Sequence, residues 1–162
     1  GFWLDERESN ALDGAAHFYD TYECADQKFL AVGSIEPQFY SILLEKLEIS
    51  DLKFQDQHNK ELWPELKNII KDKIKQKTRD EWADIFDGSD ACVAPVLSLS
   101  EAPEHHHMKA RNSFVEVDEI IQPAPAPRFS VTTPNIKHSS VKAGENNDEI
   151  CSKYNLDRSC FS

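Results

Sequence analysis

Three familiar loop signatures are missing from this sequence of 162 residues. There is no GxGxxG turn, no P-loop and no GxSxG elbow, so neither a dinucleotide cradle nor a hydrolase nucleophile can be assigned from a motif. Long apolar runs are also missing: nothing approaches the roughly 18 residues of a membrane span. The opening "GFWLDERESN" turns charged after four residues, unlike a signal peptide. A soluble, intracellular chain with no membrane insertion is therefore expected. Positive charge is scarce, with Lys+Arg 18 against Asp+Glu 29 and a formal charge of -11. Such a balance repels nucleic acid and anionic lipid unless the bases gather on one face, which sets nucleic-acid binding aside. Four cysteines, Cys24, Cys92, Cys151 and Cys160, lie far apart with no CxxC pair, so reduced thiols of the cytosol, mitochondrial matrix or peroxisome are expected. The first residue is Gly1 rather than Met, which points to a processed product or a fragment.

With 40% hydrophobic residues the chain can build a core, as one ordinary domain or as a piece of a larger one. Phe18 to Tyr22 and Lys28 to Val32 are aromatic and β-prone around the short polar step "ADQK", which predicts a β-hairpin. After Gly33 and Ser34, the positions Phe39, Tyr40, Leu43, Leu44 and Leu47 recur at helical spacing, with Ser34 as the expected N-cap and Pro37 in the first turn. The polar connection "EISDLKFQDQHNKEL" leads to "WPELKNIIKDKIKQK", an amphipathic helix on Leu66, Ile69, Ile70 and Ile74 with a lysine-rich outer face. That face reads as solvated helix surface before it reads as a phosphate site. Thr78 and Glu81 form a capping-box pattern ahead of Trp82, Ile85 and Phe86, and Gly88 is a natural stop. "ACVAPVLS" predicts a short buried strand and "LSEAPEHHH" a short helix or turn. "FVEVDEIIQPAPAPRFSVTTP" is strand-like and then broken by prolines, so an extended crossing segment is expected, followed by a polar tail with one weak helix at "NNDEICSKYN". The fold class is α+β.

Among groups that could carry chemistry, Glu36 comes first. It is either a first-turn acid favoured by the helix dipole or a functional carboxylate presented at a strand-to-helix junction beside small residues. His105, His106 and His107 are adjacent, so they point in different directions, and no Cys or His cluster at ligand spacing joins them; no metal site is expected. Cys92 reads as a small apolar filler of a buried strand, and Asp87 and Asp90 as turn residues around Gly88.

Three stretches, "LDGAAHFYDTYECADQKFLAVGSIEPQFYSILLEKL", "TRDEWADIFDGSDACVAPVLSLSEA" and "QPAPAPRFS", resemble the second half of the α-methylacyl-CoA racemases, within the family III CoA-transferase group. The resemblance runs from about Asn10 to about Pro134. It implies residues 1–16 as an incoming linker, 17–112 as the small α+β domain and 113–124 as a return linker. Residues 125–162 would then be a partial return segment of the Rossmann-like large domain with a polar tail. It implies an interlocked homodimer in the complete protein, a 2-methylacyl-CoA substrate, and no cofactor beyond the CoA of that thioester. It also implies a peroxisomal or mitochondrial location.

Racemisation removes the α-proton and returns one to either face of a planar enolate, which needs bases on both sides of the carbon. In the family a histidine paired with a glutamate serves one side and an aspartate the other. The glutamate of "IEPQFY" maps onto Glu36, with Gly33, Ile35, Pro37 and Gln38 as its supporting loop. None of His17, His58, His105, His106, His107 or His138 lies in a matching motif, so the histidine and aspartate are expected upstream and the isolated chain is expected to be inactive. The chain departs from the usual "LDGGAPFY" at Ala15 and His17, and its tail "GENNDEICSKYNLDRSCFS" follows the usual "GEHTEEIL" helix loosely and carries no SKL address. A CoA-transferase of the same fold and a non-catalytic truncated module are the alternatives. The former typically carries a glycine-rich loop where this chain has "GSIEPQF".

Overall fold

The computed structural model describes residues 3–161, without the side chain of residue 160. The chain divides into two compact units that meet in sequence between Val96 and Leu97. The first holds β1 (Tyr19–Glu23), β2 (Phe29–Gly33), α1 (Pro37–Lys46), α2 (Trp63–Ile74), α3 (Arg79–Phe86) and β3 (Val93–Pro95). The three strands form one antiparallel sheet in the order β1-β2-β3, with Tyr19 opposite Gly33, Thr21 opposite Ala31 and Ala31 opposite Ala94.

Side chains alternate across a strand, so this register sorts the sheet into two unlike faces. Tyr22, Leu30 and Val32 enter the core, whereas Tyr19, Thr21, Phe29 and Ala94 stay exposed. α2 packs on β1, and α3 on β2 and β3. The hairpin closes where the Cys24 N–H donates to the Lys28 carbonyl at 2.8 Å and Gln27 takes a left-handed φ of 63°.

The helices follow their apolar spacing. α1 buries Tyr40 and Leu43, with Leu47 just past its end. α2 buries Trp63, Leu66, Ile70 and Ile74 on one stripe. Two of its lysines and the one at its C-cap meet acids of the same unit: Lys67 meets Asp20 at 2.5 Å, Lys73 meets Glu48 at 3.0 Å and Lys75 meets Glu23 at 3.5 Å. α3 begins with the expected capping box, Thr78 and Glu81 each accepting from the other's backbone N–H, and Gly88 beyond its end has φ +67°.

Four expectations change. The N-cap of α1 is Glu36, not Ser34; Ser34 is buried and its Oγ donates to the Ala91 carbonyl at 2.5 Å, so it is tied to a neighbouring segment rather than to the helix. Cys92 is exposed at φ 55°, because it precedes β3 at the sheet edge instead of filling a buried strand. The polar connection contributes to the core after all: Asp51 caps a 3-10 helix at Leu52–Gln55, and that turn drives Phe54 inward. The strand-like first part of the segment expected to cross in extended form, as far as Pro123, folds back on itself as a hairpin.

That hairpin belongs to the second unit, whose strands β4 (Phe114–Val117) and β5 (Ile120–Pro123) pair antiparallel. Asp118 and Glu119 both have positive φ, 51° and 64°, the conformation of a two-residue type I′ turn. α4 (His106–Ala110) and α5 (Asn147–Tyr154) complete this unit, the latter where the weak helix was expected. From Leu97 on, no described residue is buried.

The site around Glu36

Glu36 stands where β2 hands over to α1. Its backbone is extended, φ -74° and ψ 143°, and its carbonyl accepts the first helical bond from Tyr40 N–H at 2.9 Å. Pro37 follows at the first helical position, where its missing N–H is no loss. The Glu36 side chain is exposed, accepts no capping bond, and has no ion pair or hydrogen bond among the described residues. An N-cap side chain normally accepts an orphan N–H of the first turn. This carboxylate is instead left open to whatever meets the junction.

The turn that carries it is held from two sides. Gly33 N–H donates to the Cys92 carbonyl at 2.9 Å, Ile35 N–H to the Gly33 carbonyl at 3.0 Å, and Ser34 Oγ to Ala91 as above. From the other side the buried Gln57 donates its Nε2 to the carbonyls of Ser34 at 3.2 Å and Ile35 at 2.9 Å. Gly33, Ile35 and Pro37 thus shape the turn, with Ile35 half-buried against the core, while Gln38 projects into solvent from the first turn of α1. A Cβ on Gly33 would sit 3.7 Å from the Cys92 carbonyl oxygen, ordinary contact, so no described residue of this chain demands glycine there.

Two clefts flank the junction. One, of about 490 Å³, lies against the open face of the sheet and is lined by Leu12, Asp13, Tyr19, Ala31, Gly33 and Cys92, among others. The Cys92 thiol pKa is raised, first by partial burial of the sulfur and then by the negative charges of Glu36 and Asp90. It is therefore a poor thiolate nucleophile near neutral pH. The rim loop is rigid by hydrogen bonding: the buried Asn10 exchanges bonds with Leu4 N–H and carbonyl at 2.8 and 2.9 Å and donates to Asp13 Oδ2 at 2.7 Å. Lys67 Nζ, besides pairing with Asp20, donates to the Gly14 carbonyl at 2.5 Å.

The other cleft, of about 470 Å³, is lined by Pro37, Tyr40, Leu44, Phe54, Asp56 and His58, among others. Behind it His17 is fully buried, with Nε2 2.7 Å from the Tyr40 hydroxyl and Nδ1 without a hydrogen-bond partner among the described residues. Burial, and then the charge of His58, lowers its pKa to about 4. His17 is thus a neutral core imidazole, packed edge-on against Phe18 and Phe54.

His105 and His106 stack with ring centroids 4.4 Å apart. Among the described residues no group of three or more His, Cys, Asp or Glu side chains could hold a metal ion. The sequence reading missed Gln57 and the true role of Ser34. The signal for Gln57 was the presence of Phe54 close before it in a mostly polar run, which marks that connection as anchored rather than free.

The profile of CoA-transferase family III matches residues 4–147. The chain belongs to that family. It is 43% identical over 157 residues to the α-methylacyl-CoA racemase of Mus musculus and 42% identical over 159 residues to that of Homo sapiens, covering 95% and 96% of this chain. A CaiB/baiF CoA-transferase family protein of Caenorhabditis elegans is 36% identical over 120 residues, 72% of this chain and 33% of its own length. The chain spans 41% of the length of either racemase. Among solved structures, the orthorhombic form of Rv3272 from M. tuberculosis superposes with a TM-score of 0.65 at 16% identity, over 83% of this chain and 38% of that one. That likeness bears out the small-domain fold of the family and its partial extent here. No helix among the described residues is long and apolar enough to cross a membrane.

Proposed function

We propose that this chain is the small-domain portion of an α-methylacyl-CoA racemase, an isomerase that epimerises 2-methyl-branched acyl-CoA thioesters. The observation that carries the reading is the Glu36 carboxylate, held on a pinned turn yet without a cap bond or ion pair among the described residues, within a sequence similar over 95% of its length to racemases. Proton abstraction next to a thioester leaves an electron pair that the thioester carbonyl can take up, so the chemistry calls for no cofactor beyond the substrate's own CoA. Glu36 would pair with a histidine supplied by residues outside this chain, fixing its tautomer and raising its basicity. An aspartate, also outside this chain, would serve the opposite face of the carbon. The complete protein would act as an interlocked homodimer, in the peroxisome or mitochondrion.

The test is exchange of the α-proton of a 2-methylacyl-CoA with deuterium in heavy water, by this chain and by a protein extended upstream to the length of its racemase relatives. Exchange by the extended protein alone is expected. Absence of exchange, with CoA moving between two added carboxylic acids instead, would replace the racemase reading by a transferase of the same family.

A further inference from the structure

We infer that Gln57 is a positioning residue for Glu36, an assignment that rests on the functional role proposed for that carboxylate. Both hydrogen bonds recorded for the Gln57 amide go to consecutive carbonyls, Ser34 and Ile35, that lead into Glu36. These are contacts across more than twenty residues of sequence. The side chain is 7% exposed. Its orientation follows from its partners: the opposite flip would set Oε1 against two carbonyl oxygens, whereas Nε2 carries two N–H groups for two acceptors.

Gln57 is itself fixed. Its carbonyl accepts from Trp63 Nε1 at 2.8 Å, and Trp63 and Phe54, on either side of it in sequence, are both buried. The indole of α2 therefore sets Gln57, and Gln57 sets two peptide planes ahead of Glu36. On the far side Ser34 Oγ and Gly33 N–H hold the same turn to Ala91 and Cys92. With the backbone clamped from both flanks, the direction in which Glu36 leaves the junction is determined before any substrate or partner arrives. Such preorganisation matters because a displacement of about 1 Å at a reacting group can lower a rate on the order of 100-fold.

The variants are Gln57→Leu, which removes both donors, and Gln57→Glu, which keeps the shape and can donate only when protonated. Amide hydrogen exchange on this chain, followed in peptides covering residues 33–36 and, as a control, the β1–β2 hairpin, reads the turn without reference to activity. Faster exchange at Gly33 and Ile35 is expected in Gln57→Leu, by roughly 10-fold or more, with hairpin amides unchanged. In Gln57→Glu the loss should appear at about pH 8 and reverse only in part toward about pH 5.5, because the neutral acid has one O–H for two carbonyls, the comparison being made against the parent profile at each pH. In the extended protein, kcat for α-proton exchange should fall about 10- to 100-fold in Gln57→Leu with KM within about threefold. Unchanged exchange at Gly33 and Ile35 would overturn the inference. So would altered exchange accompanied by parental kcat. An extended parent protein with no activity would defeat the racemase reading, and with it the catalytic half of this inference, while the amide exchange would still decide whether Gln57 fixes the turn.

Discussion

Glu36 and His17 show how the same local question, whether a polar side chain has a partner, leads to opposite roles. Glu36 is exposed and unpartnered among the described residues, so its replacement should leave the fold untouched. Glu36→Gln is expected to change the unfolding free energy of this chain in urea denaturation by less than about 0.5 kcal/mol. In the extended protein it should lower kcat by roughly 100-fold or more with a much smaller change in KM, because a carboxylate partner matters chiefly as the imidazole takes up the proton. Steady-state α-proton exchange checks it, and parental turnover would remove Glu36 from the mechanism. His17 is buried and neutral, its pKa lowered from 6.5 to about 4. The unfolded chain binds a proton below its ordinary pKa while the folded chain does not. The stabilising contribution is therefore complete above about pH 6.5 and is lost progressively as pH falls toward about 4, by about 3 kcal/mol in all. His17→Phe should abolish that slope in urea melts recorded across the window; an unchanged slope would assign acid sensitivity to other groups. Of these two residues only Glu36 announced itself in sequence, through its motif. Nothing in the sequence told that the His17 ring, beside its chain neighbour Phe18, would also be enclosed by Tyr40 and Phe54, since those two come from segments brought to it only by folding.

At the scale of elements, what was legible had a local cause. The β1–β2 hairpin, the stripe of α2 and the capping box of α3 each follow from spacing within one short stretch of sequence, and each is present. What was misread depended on distant partners. Ser34 has the chemistry of an N-cap, but the carbonyl of Ala91 takes its hydroxyl, leaving the cap position to Glu36. The second hairpin was hidden for another reason: Asp118 and Glu119 are not the Asn-Gly pair that usually marks a type I′ turn, and the prolines after it favour extended chain. α3 offers a direct test of local design. Thr78→Ala removes the hydroxyl that accepts from Glu81 N–H at 3.3 Å and breaks the reciprocal box, so a loss of about 1 kcal/mol is expected in urea denaturation. Trp82→Phe should be worse, because the indole N–H also donates to the Ile74 carbonyl at 2.7 Å, joining the end of α2 to α3. A buried carbonyl stripped of that donor, together with lost ring volume, makes about 2 kcal/mol the expected cost.

At the scale of the whole molecule, burial is unevenly shared. The first unit has a continuous core drawn from Ala16 to Ala91, yet one face of its sheet is open, with Tyr19, Phe29 and Val96 each more than a third exposed. The second unit buries none of its described residues, and Leu99 and Val131 are 96% and 93% exposed. Apolar surface left in water is unfavourable by about 25 cal/mol per Å², and contiguous open faces of this kind usually meet a partner. The chain spans 41% of its racemase relatives, so residues it does not contain are the natural cover in the proposed complete protein. Without them, the surface is expected to be covered by further copies of the same chain. Light scattering should then show mass rising with concentration, and Phe29→Lys should reduce that rise by placing a desolvation-averse charge on the open sheet face. Melting of the isolated chain should begin in the second unit, seen as early exchange of the β4–β5 amides while β1–β2 remains protected. A monodisperse monomer with uniform protection throughout would mean that both units are stable as they stand, and that the open faces need no partner at all.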